Sequence, residues 1–252
     1  MRIASFNIWN NPTLWHERIG AICEEVKRVA PDMLALQEVK TYIDGETGID
    51  VATYIANQTG YPFCVFHPYP DSPDEGLAVL SKVPLATNDA IWHYEVEEAN
   101  YCAMRVTFQV GGHVFGLTNV HLNWRSSDIR EAQMKAVHEW IGEGERYEIL
   151  CGDFNDDPQS ENHHYLTEHR WVDVAKYDEG EAQPTLDYTH NPYLQQDSLM
   201  KRSSRYDWIL LRHVEVNSLL ITNVDVFGNA SVSKTNILPS DHYGVLFDLD
   251  IP

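Results

Sequence analysis

The sequence predicts a mixed, largely antiparallel α/β sandwich, with residues 1–252 read as one domain, and three observations lead there. Short apolar runs of strand length far outnumber helical patterns. Many of these runs adjoin across Gly, Pro or Asp, as hairpins do. Helical segments are too few to follow every strand, which argues against a barrel of alternating βα units. At 43% hydrophobic, 11% aromatic and 22% charged, the 252 residues supply one large core and force no second domain.

The elements follow in order. Residues 2–9 read as a strand. Apolar positions Leu14, Ile19, Ile22, Val26 and Val29 have near-helical spacing, and Pro31 ends that helix. Residues 33–37 form a short buried strand, and residues 49–58 a helix closed by Gly60. Residues 61–66, 77–80 and 85–94 are strands separated by turn residues. Residues 101–110 and 114–121 flank Gly111-Gly112 and read as a hairpin. A Ser-Ser-Asp cap opens a helix over 127–141. Residues 148–151 are a buried strand, 175–204 are the least regular stretch, and strands at 205–211, 214–226 and 243–249 complete the set.

Charge narrows the partners. With 18 Lys+Arg against 38 Asp+Glu, the formal net charge is -20. Non-specific affinity for duplex DNA rests on phosphate neutralisation by Lys and Arg, so duplex DNA is an unlikely main partner. Cys23, Cys64, Cys102 and Cys151 are far apart among apolar neighbours, with no C-x-x-C. They read as buried reduced thiols, which suits a cytoplasmic protein. No signal-peptide pattern opens the sequence, and no run approaches about 18 consecutive apolar residues.

The chemistry gathers at strand ends. Asp241-His242 sits on a Pro/Ser turn before the last strand. Asn7, Glu38, His121, Asp153 with Asn155, and Asp207 each lie at or near the end of an apolar run. Taken singly, each has an ordinary alternative. Asn7 could cap a turn, Glu38 could be a solvated strand end, and His121 a packed histidine. Asp207 could pair with Arg205, and Asp153-Phe154-Asn155 could be an Asx turn. If the chain stays extended, Asp153 and Asn155 face one way and Phe154 the other. A calcium loop is rejected, because Pro158 and His164 stand where it requires Gly and Glu.

No G-x-S-x-G, Walker loop, dinucleotide fingerprint or H-E-x-x-H occurs. What remains is an oxygen-rich, thiolate-free donor set, which suits Mg²⁺ or Mn²⁺ better than zinc.

Taken together, Ser5-Phe6-Asn7-Ile8, Leu36-Gln37-Glu38-Val39, Asn119-Val120-His121-Leu122, Gly152-Asp153-Phe154-Asn155, Arg205-Tyr206-Asp207-Trp208-Ile209 and Ser240-Asp241-His242 resemble the endonuclease/exonuclease/phosphatase superfamily. Six motifs in register span almost the whole chain, and Asp74 to Lys82 also looks like a strand common there. The resemblance implies an α/β (α+β) fold, a four-layer αββα sandwich of two packed, mostly antiparallel sheets. It also implies Mg²⁺-dependent hydrolysis of a phosphate-ester substrate, with Mn²⁺ as a substitute.

Carried over by position, Glu38 is the expected principal metal ligand, with Asn7 and Asp241 nearby. Asp153 and Asn155 align the water and hold the phosphate. His242 is the base or phosphate contact, Asp207 orients it, and His121 is a second phosphate donor. Whether Asp153 or His242 takes the proton stays open here, as does one metal against two.

The ending Ser240-Asp241-His242-Tyr243-Gly244-Val245 looks most like the sphingomyelinase and small-substrate branches. This favours a phosphodiesterase on a small or lipid-like ester. The alternatives are a nuclease and, in another class, a silent binding module. Tyr177, Tyr188 and Tyr193 mark a substrate-facing loop or an ordinary surface loop. Arg105, Arg130 and Gln133 are weaker phosphate-contact candidates, more simply read as a surface ion pair or solvated face.

Overall fold

In the computed structural model, described over residues 1–42, 48–70, 72–91, 103–178, 183–195, 202–213, 220–231 and 237–251, two six-stranded sheets pack face to face. The elements are β1 (Arg2–Asn7), α1 (Trp15–Val29), β2 (Met33–Lys40), α2 (Val51–Thr59), β3 (Phe63–Pro68), β4 (Glu75–Ser81), β5 (Leu85–Ile91), β6 (Ala103–Val110) and β7 (His113–His121). They continue with α3 (Ser127–Ile141), β8 (Tyr147–Asp153), α4 (Glu161–Glu168), β9 (Val172–Asp173), β10 (Asp207–His213), β11 (Leu220–Phe227) and β12 (Gly244–Asp250).

The first sheet has the order β11-β12-β1-β2-β4-β3 and the second β5-β6-β7-β8-β10-β9. Each holds one parallel pair at its centre, β1 with β2 and β7 with β8, and every other pairing is antiparallel. A parallel pair needs a crossover, and α1 and α3 supply the two. The sheets therefore share one plan, which no sequence repeat announced.

Three apolar clusters separate the layers. Phe6, Ile22, Val26, Leu34, Leu36 and Ile55 pack α1 and α2 on the first sheet. Ile3, Ala35, Phe115, Ile149, Ile209 and Phe247 fill the space between the sheets. Val120, Met134, Val137, Leu150, Leu166 and Trp208 pack α3 and α4 on the second sheet. This is the expected αββα sandwich.

Local signals hold at several ends. Ser126 caps α3 by accepting from Ile129 N at 3.4 Å, and Gly60 closes α2 with φ 82°. Three elements escaped the sequence reading, α4, the two-residue β9 and a 3₁₀ turn over Val174–Tyr177. Helix α4 is only eight residues long, capped by Ser160, and its short polar sequence carries little periodicity. Strand β2 runs on past Gln37 to Lys40 because an irregularity at Glu38 lets pairing resume. The expected strand positions 92–94, 101–102 and 214–219, and Cys102, lie outside the described residues.

Candidate active site

Strand alternation builds the site. On β1, Ala4 and Phe6 face the helices and Ile3 faces the second sheet, so Ser5 and Asn7 face inward too. On β7 the inward set is Phe115, Leu117, Asn119 and His121; on β8 it is Tyr147, Ile149, Cys151 and Asp153. On β10, which runs the other way, Ile209 and Leu211 face inward and Asp207 comes first. Apolar inward positions thus give way to polar ones at one edge of the sandwich. Register brings them level, with His121 beside Asp153 and Asp207 beside Asp153. Asn7, His121, Asp153, Asp207 and His242 are all buried.

Glu38 arrives differently. Gln37 keeps the inward alternation and donates to Ser5 Oγ at 3.1 Å and to Asn119 Oδ1 on the other sheet at 2.7 Å. Pairing with β4 shifts between Leu36 and Val39, and Glu38 has φ 55°. The bulge turns the Glu38 side chain toward the site and returns Val39 to the helix-facing cluster. Gly152 makes the matching approach on the second sheet. Its φ is 139°, and a Cβ there would lie 2.0 Å from Val120 O.

Hydrogen bonds join the two halves. Asn7 Nδ2 donates to Glu38 Oε1 at 3.1 Å and to Asp153 Oδ2 at 2.9 Å. Asn10 N donates to Glu38 Oε2 at 2.8 Å. His242 Nδ1 lies 2.9 Å from Asp207 Oδ2, and its Nε2 lies 3.7 Å from Asp153 Oδ2. His121 Nε2 is also 3.7 Å from Asp153 Oδ2, and its Nδ1 is 3.1 Å from Tyr69 Oη. Two imidazoles therefore converge on one carboxylate oxygen.

Electrostatics follows from burial. Burial works against charge on His242, yet Asp207 and Asp153 outweigh it and hold the imidazole well above its usual range. Burial raises the Asp153 carboxyl, with His242 opposing and Asp207 reinforcing. Burial pushes Asp241 up to about 7, against the His242 charge and with help from Glu38. The site is crowded with carboxylates that lack enough positive charge.

A divalent cation fits this donor set. Asn7 bridges the carboxylates of Glu38 and Asp153, both hard donors, and Asp241 is near enough to feel the charge of each. The inward thiol on β8, Cys151, is pushed up to about 12 by burial and offers no thiolate. Asp153, Asp207 and His242 also place ligand atoms within 4.8 Å of one another. That trio suits proton handling, because Asp207 Oδ2 already engages His242 Nδ1 at 2.9 Å.

Several expectations change in detail. Asn7 lies where a ligand was expected, but its Oδ1 accepts from Trp9 N at 3.0 Å and its NH₂ faces the carboxylates. In this orientation its NH₂ bridges Glu38 and Asp153. The chain does not stay extended at Asn155, whose φ is 51°. Asp153 Oδ1 accepts from Asn155 N at 2.8 Å in an Asx turn, and Asn155 Nδ2 donates to Leu122 O at 2.9 Å. Asp207 does not pair with Arg205, which grips Asp173 instead. Arg105 pairs with buried Glu148, Arg130 with Asp156, and Gln133 accepts from Asn123 N.

Other contributors went unread in the sequence. Glu75 accepts from Asn10 Nδ2 at 2.8 Å, and burial raises its carboxyl, opposed by the Asn10 bond and reinforced by Glu38. The irregular stretch backs the site. Thr185 Oγ1 accepts from Asp207 N at 3.0 Å, Leu186 bridges to His242, and Asn191 Nδ2 holds the carbonyls of Ser240 and Asp241. Tyr188 is buried, Tyr193 packs on Trp9 with ring centroids 4.9 Å apart, and Tyr177 is exposed. No local pattern marks these roles, since each depends on a strand distant in sequence.

Comparisons with known proteins agree with this fold. The family model described as Endonuclease/Exonuclease/phosphatase family matches residues 4–242. A search of curated proteins gives no match. Among solved structures, D. rerio TDP2 complexed with single strand DNA product superposes with a TM-score of 0.81 at 17% identity, covering 99% of this chain and 98% of that one. An endonuclease/exonuclease/phosphatase family protein from Leptotrichia buccalis C-1013-b gives 0.77 at 16% identity, covering 100% of both chains. A functionally unknown conserved protein from Enterococcus faecalis V583 gives 0.77 at 20% identity, again covering 100% of both. The match over nearly the whole length, on a two-sheet sandwich with its polar residues at one edge, means that this chain belongs to the Endonuclease/Exonuclease/phosphatase family of phosphoesterases.

Proposed function

We propose that the protein is a divalent-metal-dependent phosphodiesterase acting on a small or lipid-like phosphate diester. The observation that carries this reading is the dyad of His242 Nδ1 and buried Asp207, 2.9 Å apart, with His242 Nε2 3.7 Å from Asp153 Oδ2. Glu38 and Asp241 would hold the cation, Mg²⁺ or Mn²⁺, with Asn7 fixing Glu38 against Asp153. When bound, the cation supplies Lewis-acid polarisation of a phosphoryl oxygen.

The protein groups divide the remaining work. His242 carries a proton and donates it, as a hydrogen bond from Nε2, to a phosphate oxygen. His121, oriented by Tyr69, is the second donor. Asp153 Oδ2, with a raised carboxyl pKa, accepts the proton of the attacking water. One P–O bond forms as the bond to the leaving oxygen breaks, and that oxygen takes its proton from solvent. Asn155 steadies the Asp153 turn.

A second reading, cleavage of a single nucleic-acid strand, has two supports. One is the likeness to TDP2 complexed with single strand DNA product. The other is Trp124, which is 57% exposed directly after the β7 end of the site, with the Arg125 guanidinium 4.7 Å from its ring centre. Exposed aromatic and Arg pairs stack single-stranded bases. The net charge of -20 argues against a long duplex footprint.

The test is hydrolysis of bis-p-nitrophenyl phosphate against p-nitrophenyl phosphate with Mg²⁺, Mn²⁺ or EDTA. Metal-dependent diester cleavage lost in Asp153→Ala supports the reading. Preference for the monoester would move it to a phosphatase. Silence toward both, with no Mn²⁺ heat by calorimetry, would leave a binding module.

A further inference from the structure

Behind the reacting edge, the polar chemistry around Asp207 has two loose ends. Asp207 Oδ2 faces His242, while the buried Oδ1 makes no hydrogen bond among the described residues. Arg205 lies two residues earlier with its side chain 12% exposed. Its terminal nitrogens grip Asp173 at 3.2 and 2.6 Å, and its buried Nε makes no hydrogen bond among the described residues. Both side chains line one cavity of about 20 Å³, walled also by apolar Val174, Ala175 and Ile209 and by polar Asp178, Gln183 and Asp225.

A cavity of roughly 10–15 Å³ or more accommodates one water when polar partners are present. Of the polar lining here, Arg205 Nε and Asp207 Oδ1 are buried with no hydrogen bond among the described residues, and they are of opposite sense, an N–H donor and a carboxylate acceptor. We infer that this cavity holds one ordered water, accepting from Arg205 Nε and donating to Asp207 Oδ1, and that Arg205 is a positioning residue for the Asp207–His242 dyad. The inference rests on the catalytic reading above and extends it.

The physical need is rotational. The carboxylate torsion of Asp is broad, so an oxygen without a partner lets the group swing and exchange which oxygen meets the imidazole. A donor on Oδ1 fixes Oδ2 on His242 Nδ1. Arg205 suits this task because its charge is already matched bidentately by Asp173, which His163 Nε2 contacts at 2.9 Å. The connection then runs from α4 through β9 to the dyad without adding an unmatched cation beside it.

Three measurements test it. A crystal structure of the wild-type protein should show a water within about 3.2 Å of both atoms. Arg205→Lys keeps a cation for Asp173 and removes Nε–H. With bis-p-nitrophenyl phosphate and Mn²⁺ it should lower kcat about tenfold and leave KM near wild type, with a fall in melting temperature from losing the bidentate grip on Asp173. Ala175→Val narrows the cavity without altering a polar side chain and should act in the same direction. The proton resonance of His242 Nδ1–H should shift or broaden in both variants, a readout that needs no turnover. A dry cavity, a water touching neither atom, or an unmoved resonance overturns the inference, as does wild-type kcat in both variants. Absence of hydrolysis by the wild type would instead sink the catalytic reading, with the water and the resonance still deciding this one.

Discussion

Gln37 Nε2 on the first sheet donates to Asn119 Oδ1 on the second at 2.7 Å, although 82 positions separate them. The bond lies just beneath the site and crosses the space between the sheets. Asn119 Nδ2 also donates to Leu36 O at 2.9 Å and Ala78 O at 3.0 Å, so one amide ties three strands. This contact sets how far the Glu38 side of the site stands from the Asp153 side.

Asn119→Ala should therefore lower stability by about 3 kcal/mol, because it strands several buried polar groups at once. Urea unfolding measures this. A loss under about 1 kcal/mol, in the range of ordinary substitutions, would mean that the bridge bears little of the sheet packing.

Glu38→Gln and His242→Ala should separate two roles. Both should reduce diester hydrolysis by at least about 100-fold, with the fold nearly intact. Calorimetry should then show Mn²⁺ binding weakened in Glu38→Gln and kept in His242→Ala. The reverse pattern would exchange the ligand and acid–base assignments.

Arg18 is fully buried in α1 and donates to the carbonyls of Ile8, Trp9, Asn11, Thr13 and Pro239. It ties the loop after Asn7 to the turn before Asp241. Burial lowers its pKa to about 10, which leaves it charged at neutral pH. Arg18→Met should lower stability by about 3 kcal/mol through lost charge-assisted hydrogen bonds, and it should weaken Mn²⁺ binding. Unchanged thermal unfolding and metal heat would refute the anchoring role.

Acid stability should report on Asp173. Burial raises its carboxyl, but His163 and then Arg205 outweigh that and hold it below the usual range. A depressed folded value stabilises the fold above the unfolded value of about 3.9, and that contribution disappears as pH falls through the folded value. The stability gap between wild type and Asp173→Asn should be full at neutral pH and close only in strong acid. A gap that stayed constant from neutral pH to about pH 2 would contradict this linkage.

Much of the fold was legible in local sequence. Apolar runs of strand length mark β1, β7 and β8, and turn residues bound most strands. Helix α4 was not legible, being a short polar segment held by Leu166 and by contacts to distant residues. The polar residues at strand ends were legible as a set, since buried runs that finish in Asn, His or Asp have little ordinary reason to do so repeatedly.

By itself the sequence determined which side chains are available and, wherever the backbone stays extended, which of them share a face, because alternation is a local property of extended backbone. Only the tertiary structure decided their partners. Glu38 reaches the site through a bulge opposite β4, Asn7 turns its amide nitrogen to the carboxylates, and Arg205 leaves neighbouring Asp207 for Asp173. Each outcome depends on register between strands far apart in the chain, and hydrogen-bond geometry discriminates at fractions of an ångström.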